Sequence, residues 1–322
     1  EHCERVLREM LPDADRLEGS DRFAEEVVRA MQYSVMAGGK RLRPLFLYET
    51  CRMYGGREEL AAPFMAALEM IHNYSLVHDD MPAMDNDEYR RGKKTTHAVY
   101  GEAMGILAGD ALLNFAFETA LKAYDMEPDN TNIGKALQVL AKKAGIYGMI
   151  GGQVMDLDFE KNPPNISSLT DMYMRKTAAL LVCAAKLGLI AAGECDENKH
   201  KAAEEFGLNL GLAFQVIDDI LDCTADEKLL GKPIGSDAVN NKETYVMEII
   251  VTPSKLIYHG DSMKKLFEKA YTDRKRCGIT TIIIIIVALF LSFIISYFVY
   301  QENTTTNITQ FERQIVLDNG LT

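Results

Sequence analysis

From about residue 20 to 247, apolar side chains recur at intervals of three and four with almost no interruption, and that period leaves little room for anything but helices. The stretches FAEEVVRAMQYSVMAGG, APFMAALEMIHNYSLVHDD and AGDALLNFAFETALKAY each carry an apolar stripe to bury. Gly38-Gly39, Gly55-Gly56 and Pro163-Pro164 punctuate these runs, and no alternating Val, Ile and Thr segment bounded by hairpin turns interrupts them. The expectation is an all-α chain of many long helices, and 322 residues are enough for a sizeable core.

The charge narrows the partners. Lys and Arg number 35 against 47 Asp and Glu, a formal net charge of −12, which disfavours nucleic acid as the main partner. An acidic chain still binds a phosphorylated small molecule when metal ions and a few local cations are supplied. Cys3, Cys51, Cys183, Cys195, Cys223 and Cys277 are scattered without metal-ligand spacing, so free thiols in a reduced compartment are expected. The chain starts at Glu1 with no signal peptide in view, which implies a processed or incomplete terminus.

Residues 278–300, GITTIIIIIVALFLSFIISYFVY, carry no charged side chain. As a helix they would span about 34 Å, enough to cross a bilayer core. Arg274, Lys275 and Arg276 precede them, which orients the large N-terminal part to the cytoplasm and the 301–322 tail outward.

Chemistry concentrates in two acidic clusters. HDDMPAMDNDEYRRG, residues 78–92, follows an apolar helical run; Pro82 ends that helix and should put Asp85 on a turn folding back toward Asp79. FQVIDDILD, residues 214–222, places Asp218 and Asp222 on one helix face, with Asp219 beside them. Oxygen ligands facing each other across a cavity suit Mg²⁺, which takes one or two carboxylates per ion and completes its octahedron with water and phosphate oxygens. Cations accompany them. In GGKRLRP a glycine pair feeds Lys40, Arg41 and Arg43 into a helix start, a diphosphate grip of side-chain charge and free backbone N–H groups. His72 lies seven residues before Asp79, hence on the same helical face. Arg90 and Arg91 can reach different phosphate groups, and Lys176, Thr177, Gln215 and Lys232 add donors.

GGKRLRP, DDMPAMDND with RRG after it, GGQVMD, the Lys176-Thr177 pair, FQVIDDILD, and GKPIGSD followed by NNKETY occur in this order over residues 1–246. That ordered set resembles the trans-prenyl diphosphate synthases (polyprenyl synthetases), above all the bacterial farnesyl diphosphate synthases. The resemblance implies an isoprenoid-synthase-type bundle around a deep central cavity, a homodimer and Mg²⁺ as cofactor. It also implies that an allylic diphosphate, dimethylallyl or geranyl, ionises and the cation is attacked by isopentenyl diphosphate. By position, Lys40, Arg43, His72 and Arg91 would hold isopentenyl diphosphate; Arg90, Lys176, Thr177, Gln215 and Lys232 would contact the allylic diphosphate. Asp79 and Asp85 match the first metal motif, and Asp218, Asp219 and Asp222 the second, with Lys176, Asp79 and Asp218 nearest the chemistry. Tyr74, five residues before Asp79, and Ser75 beside it occupy the family's chain-length positions. With the two-residue insertion in the first acidic motif, Tyr74 favours a C15 product over C20.

Past NNKETY the family normally continues with helices that close the bundle, whereas VMEIIVTPSKLIYHGDSMKKLFEKAYTDRKR matches none of them. The sequence therefore divides into a synthase domain at 1–247 lacking its last helices, an unmatched linker at 248–277, a membrane span at 278–300 and a tail at 301–322. The competing functions are a geranylgeranyl diphosphate synthase and a catalytically impaired, membrane-anchored chimera of two joined pieces. A class I terpene cyclase would not be expected to carry the GGKRLRP grip or a second full acidic motif.

Overall fold

The computed structural model describes residues 1–224, with side chains through residue 219. The expected membrane span at 278–300, the 248–277 linker, the 301–322 tail, Lys232 and the side chain of Asp222 lie outside the described residues.

Two helices have almost no polar face, and the rest pack around them. Helix α4 (Glu58–Asp79) buries residues on every side from Leu60 to Val77, and α11 (Ala179–Ala191) buries all but Lys186. A helix apolar all round is stable only when enclosed. The enclosing helices include α3 (Leu42–Met53), α6 (Glu102–Leu121), α8 (Thr131–Ala144) and α12 (Glu197–Thr224). Before α3 run α1 (His2–Met10) and α2 (Glu25–Val35), with two short 3₁₀ turns between them. The outer helices are amphipathic, as their sequences require. In α8, Ile133, Ala136, Leu140 and Ala144 form one buried stripe, and the Asn130 side chain caps the start by accepting from the Asn132 N–H. Phe64, Met65, Leu68, Met70 and Ile71 of α4 form the core with Leu112, Leu140 and Leu180.

The remaining elements position the site. After α4 comes a hairpin of β1 (Tyr89–Arg90) and β2 (Lys93–Lys94), then α5 (Thr96–Tyr100). This hairpin was not legible as strand, because two residues carry no period. Its cause is local: Arg91 and Gly92 both have positive φ, 53° and 74°, the pattern of a two-residue type I′ turn. Beyond α6 lie α7 (Ala123–Met126), α8, α9 (Met149–Phe159) and α10 (Ile166–Tyr173). Helix α10 runs into α11 through a π turn, Met174–Ala178, that contains Lys176 and Thr177. Such bulges insert one extra residue into a helix and occur often at functional sites. The chain is all-α in class, and Cys3, Cys51, Cys183 and Cys195 are free thiols.

Candidate active site

Asp79 is the last residue of α4, and Asp80 begins the turn. The Asp85 N–H donates to the Asp79 carbonyl at 2.9 Å, so the expected fold-back is present. Burial pushes the Asp79 carboxyl up to about 6; Lys176 and Arg90 oppose the shift, while Asp85 and Asp156 add to it. A carboxylate raised chiefly by burial is one whose ionised form a divalent cation would stabilise. Among the described residues no three His, Cys, Asp or Glu side chains close around one point. A hard cation that takes one or two carboxylates and fills its shell with water and phosphate oxygens needs no such cage, so the all-oxygen pair Asp79 and Asp85 fits Mg²⁺.

Asp80 has a different duty. It is buried, and Arg90 donates to its Oδ1 from both Nε and Nη2 at 2.6 Å. Burial raises the Asp80 carboxyl, and that bond to Arg90 counters it. The second aspartate of the motif therefore braces the first arginine of RRG.

Further cations gather around His72 of α4. Arg91 lies over the glycine pair: its guanidinium donates to the Gly38 carbonyl, and a Cβ on Gly39 would stand 2.6 Å from its Nη1. The second glycine is thus required by the approach of Arg91 as well as by its φ of 140°. Lys40 is exposed; Arg41 turns inward instead of joining the grip. Arg43 is half-buried, and its Nε is enclosed without a hydrogen-bond partner. Burial lowers the pKa of both Arg43 and Arg91, with Glu69 opposing and neighbouring arginines adding to the fall. His72 lies among them and is held well below its ordinary value by burial, then by Arg43, Arg91, Arg90 and Arg41. Its neutral ring can donate an N–H to an anion without adding to the repulsion.

The π turn joins this region to the second acidic motif. Lys176 Nζ donates to Asp156 Oδ2 at 2.6 Å, and its charge is the strongest one acting on Asp79. The next residue, Thr177, donates to Gln215 Oε1 of α12 at 2.8 Å. Gln215 donates to Asp219 at 3.5 Å, and the Tyr173 hydroxyl donates to the other Asp219 oxygen at 2.7 Å. Asp219 is buried against Tyr173 and Gln215, whereas Asp218, about 100° round the helix, is exposed. Asp80, Asp156 and Tyr173 received no role from the sequence. GGQVMD displayed Asp156, but its partner Lys176 lies 20 residues away.

Tyr74 is 5 % exposed, its phenol oxygen is enclosed without a partner, and its ring meets His78 edge-on at 5.9 Å. Burial, then Asp79, pushes its proton affinity up to about 12. The Ser75 hydroxyl donates to the His72 carbonyl at 2.8 Å.

A family model of polyprenyl synthetases matches residues 24–277. The chain belongs to that family. The match runs past Tyr245, the end of NNKETY, to residue 277. This polyprenyl synthetase is 41 % identical over 262 residues to a farnesyl diphosphate synthase of Geobacillus stearothermophilus, covering 80 % of the chain and 86 % of the relative. It is 43 % identical over 228 residues to a geranylgeranyl diphosphate synthase of Cyanophora paradoxa, covering 70 % and 74 %. Its fold matches a geranyltransferase from Helicobacter pylori complexed with magnesium and isoprenyl diphosphate, at TM-score 0.66 and 35 % identity, over 76 % of this chain and 80 % of that one. The fold is the all-α isoprenoid-synthase fold, and prenyl transfer is the chemistry these relatives share.

Proposed function

We propose that this polyprenyl synthetase condenses isopentenyl diphosphate with dimethylallyl or geranyl diphosphate to give farnesyl diphosphate. One observation carries the reading: Asp85 folds back onto Asp79 at the end of α4, while Arg43 and Arg91 gather around His72 of the same helix, the Arg43 Nε enclosed and holding no hydrogen-bond partner among the described residues. A metal-bound diphosphate completes the first and a second diphosphate the second. Mg²⁺, held by Asp79 and Asp85 from one wall and by Asp218, Asp219 and Asp222 from the other, would supply positive charge to the leaving pyrophosphate. Arg90, Lys176, Thr177, Gln215 and Lys232 grip the allylic diphosphate. Its C–O bond breaks, and the pyrophosphate departs with the electron pair. Isopentenyl diphosphate, held by Lys40, Arg43, His72 and Arg91, offers its double bond to the cation. The proton then lost goes to the pyrophosphate, so no side-chain base is required. Apolar walls keep water from the cation.

Tyr74 lies about 7.5 Å below Asp79 along the helix axis and supports a C15 limit as a buried floor. A C20 product is the second reading, favoured by the Cyanophora relative and by a 44 % identical relative from Arabidopsis thaliana described as a heterodimeric geranylgeranyl pyrophosphate synthase large subunit. A homodimer is supported by α6, whose outer side leaves Ile106 and Leu107 half exposed; Glu102–Met126 is long and apolar enough to cross a bilayer by length and composition. A second copy would cover that face. Membrane attachment, with the catalytic part in the cytoplasm, would rest on residues 278–300.

The test is incubation of the full chain with isopentenyl and geranyl diphosphates and Mg²⁺, read by chromatography and pyrophosphate release. Farnesyl diphosphate is expected, and Asp79→Asn should lower turnover by roughly a hundredfold or more. No consumption of isopentenyl diphosphate with any allylic partner overturns the reading.

A further inference from the structure

Arg41 stands between two predicted substrate contacts, Lys40 and Arg43, yet it is 6 % exposed and points into the protein. Its backbone is left-handed, φ 50° and ψ 35°, at the residue that opens α3. A bulky residue persists in that conformation only where its surroundings over-determine it. Three acceptors from three segments do so here. Nε donates to Glu4 Oε1 of α1 at 2.7 Å, Nη1 to Glu69 Oε1 of α4 at 2.8 Å, and Nη2 to the Val35 carbonyl ending α2 at 2.5 Å.

Glu69 is the innermost of these, 2 % exposed. Its carbonyl accepts from Asn73 Nδ2 at 2.8 Å, and one turn further along α4 stands His72. The pair Glu69–Arg41 therefore ties the loop carrying Lys40 and Arg43 to the helix carrying His72. The same fork fixes the chain end from which Gly38 and Gly39 leave, the turn on which Arg91 rests.

We propose that Glu69, acting through Arg41, is a positioning residue that sets the spacing of the Lys40, Arg43, His72 and Arg91 grip on isopentenyl diphosphate. The proposal rests on the assignment of those four residues to that substrate. A rigid fork satisfying three acceptors in different directions is a task for guanidinium and not for an ammonium group. A rival role for Glu69, plain counter-charge beneath the cations, makes the opposite prediction. Removing a negative charge near an anion site would tighten the anion, whereas loss of positioning loosens it.

Isothermal titration of the full chain with isopentenyl diphosphate, and separately with geranyl diphosphate plus Mg²⁺, decides between them. Arg41→Lys keeps the charge and loses the fork; isopentenyl diphosphate should bind roughly tenfold more weakly, with geranyl diphosphate within about twofold of wild type. Glu69→Gln should weaken isopentenyl diphosphate in the same direction. Glu4→Gln, at the more exposed arm of the fork, leaves the buried pair intact should either of the others fail to fold, and should weaken it about threefold. Tighter isopentenyl diphosphate binding by Glu69→Gln, or unchanged binding by Arg41→Lys, overturns the proposal. Equal weakening of both ligands with a fall in Tm also overturns it, since that is a structural role alone. Wild-type chain that binds no isopentenyl diphosphate sinks the functional reading and the proposal together; wild type that binds it while the variants bind equally sinks the positioning alone.

Discussion

Asp79 and Asp80 are neighbours of one type in one motif, and they do different work because a helix turns about 100° between them. Asp79 faces Lys176, Asp85 and Asp156, and its carboxyl is pushed up to about 6, chiefly by burial. Asp80 faces Arg90 and is closed off from water. Tyr74 shows the same dependence on direction, since its position in the sequence gives a depth and the proposed floor also requires its burial. Tyr74→Ala should therefore open the space below the first motif and shift the product mixture toward C20 and longer, read by chromatography of the dephosphorylated prenols. An unchanged mixture would assign the ring to ordinary packing. The same change should cost about 3–5 kcal/mol of stability, visible in a denaturant titration.

At the scale of elements, the π turn links the two acidic motifs, since its Lys176 acts on Asp79 and its Thr177 bonds Gln215 of α12, and it depends on what packs against it. Gly152 of GGQVMD lies against the backbone of Arg175 and Lys176, so any Cβ there would collide with main-chain atoms that cannot rotate away. Gly152→Ala should therefore push α9 from the turn, cost about 1–3 kcal/mol, and weaken the allylic substrate more than isopentenyl diphosphate, measured as separate KM values. A second contact among helices is an ion triad. Glu204 of α12 accepts from Lys143 of α8 at 2.7 Å and from Lys186 of α11. Burial alone would raise its carboxyl, yet the two lysines hold it at about 2, below the ordinary 4.5. A depressed acid stabilises the fold above its unfolded value and loses that contribution as pH falls toward the folded one, here from about 4.5 to about 2. Because Glu204 is about a third exposed, solvent screening leaves about 1 kcal/mol. Glu204→Gln should lower Tm by about 2–4 °C at pH 7, with the gap to wild type closing below pH 4.5 in calorimetric scans.

For the whole molecule, the apolar outer side of α6 invites a second copy. Leu107→Asp should put a charge into that contact and shift the chain from dimer to monomer in analytical ultracentrifugation, while leaving its helical content intact. A monomeric wild type would remove the basis of the homodimer. The fold class was legible because the helical period of α4, α8 and α11 is written in each run by itself. The site's ingredients were legible too, since acidic and basic clusters with phosphate-type spacing need only short stretches of chain. The hairpin at Tyr89–Lys94 and the bulge at Met174–Ala178 were not, because a two-residue strand and a single inserted residue leave no period to read. What the sequence determined by itself was an all-α chain with its carboxylates and its cations in clusters, since periodicity and composition are local. Only the tertiary structure decided which aspartate faces the site and which is buried, that Arg41 anchors while the Arg43 Nε finds no hydrogen-bond partner among the described residues, and that Lys176 serves Asp156. Asp80 meets Arg90 ten residues away, Lys176 meets Asp156 20 away, Arg41 meets Glu69 28 away and Asp219 meets Tyr173 46 away, and only packing brings such pairs together.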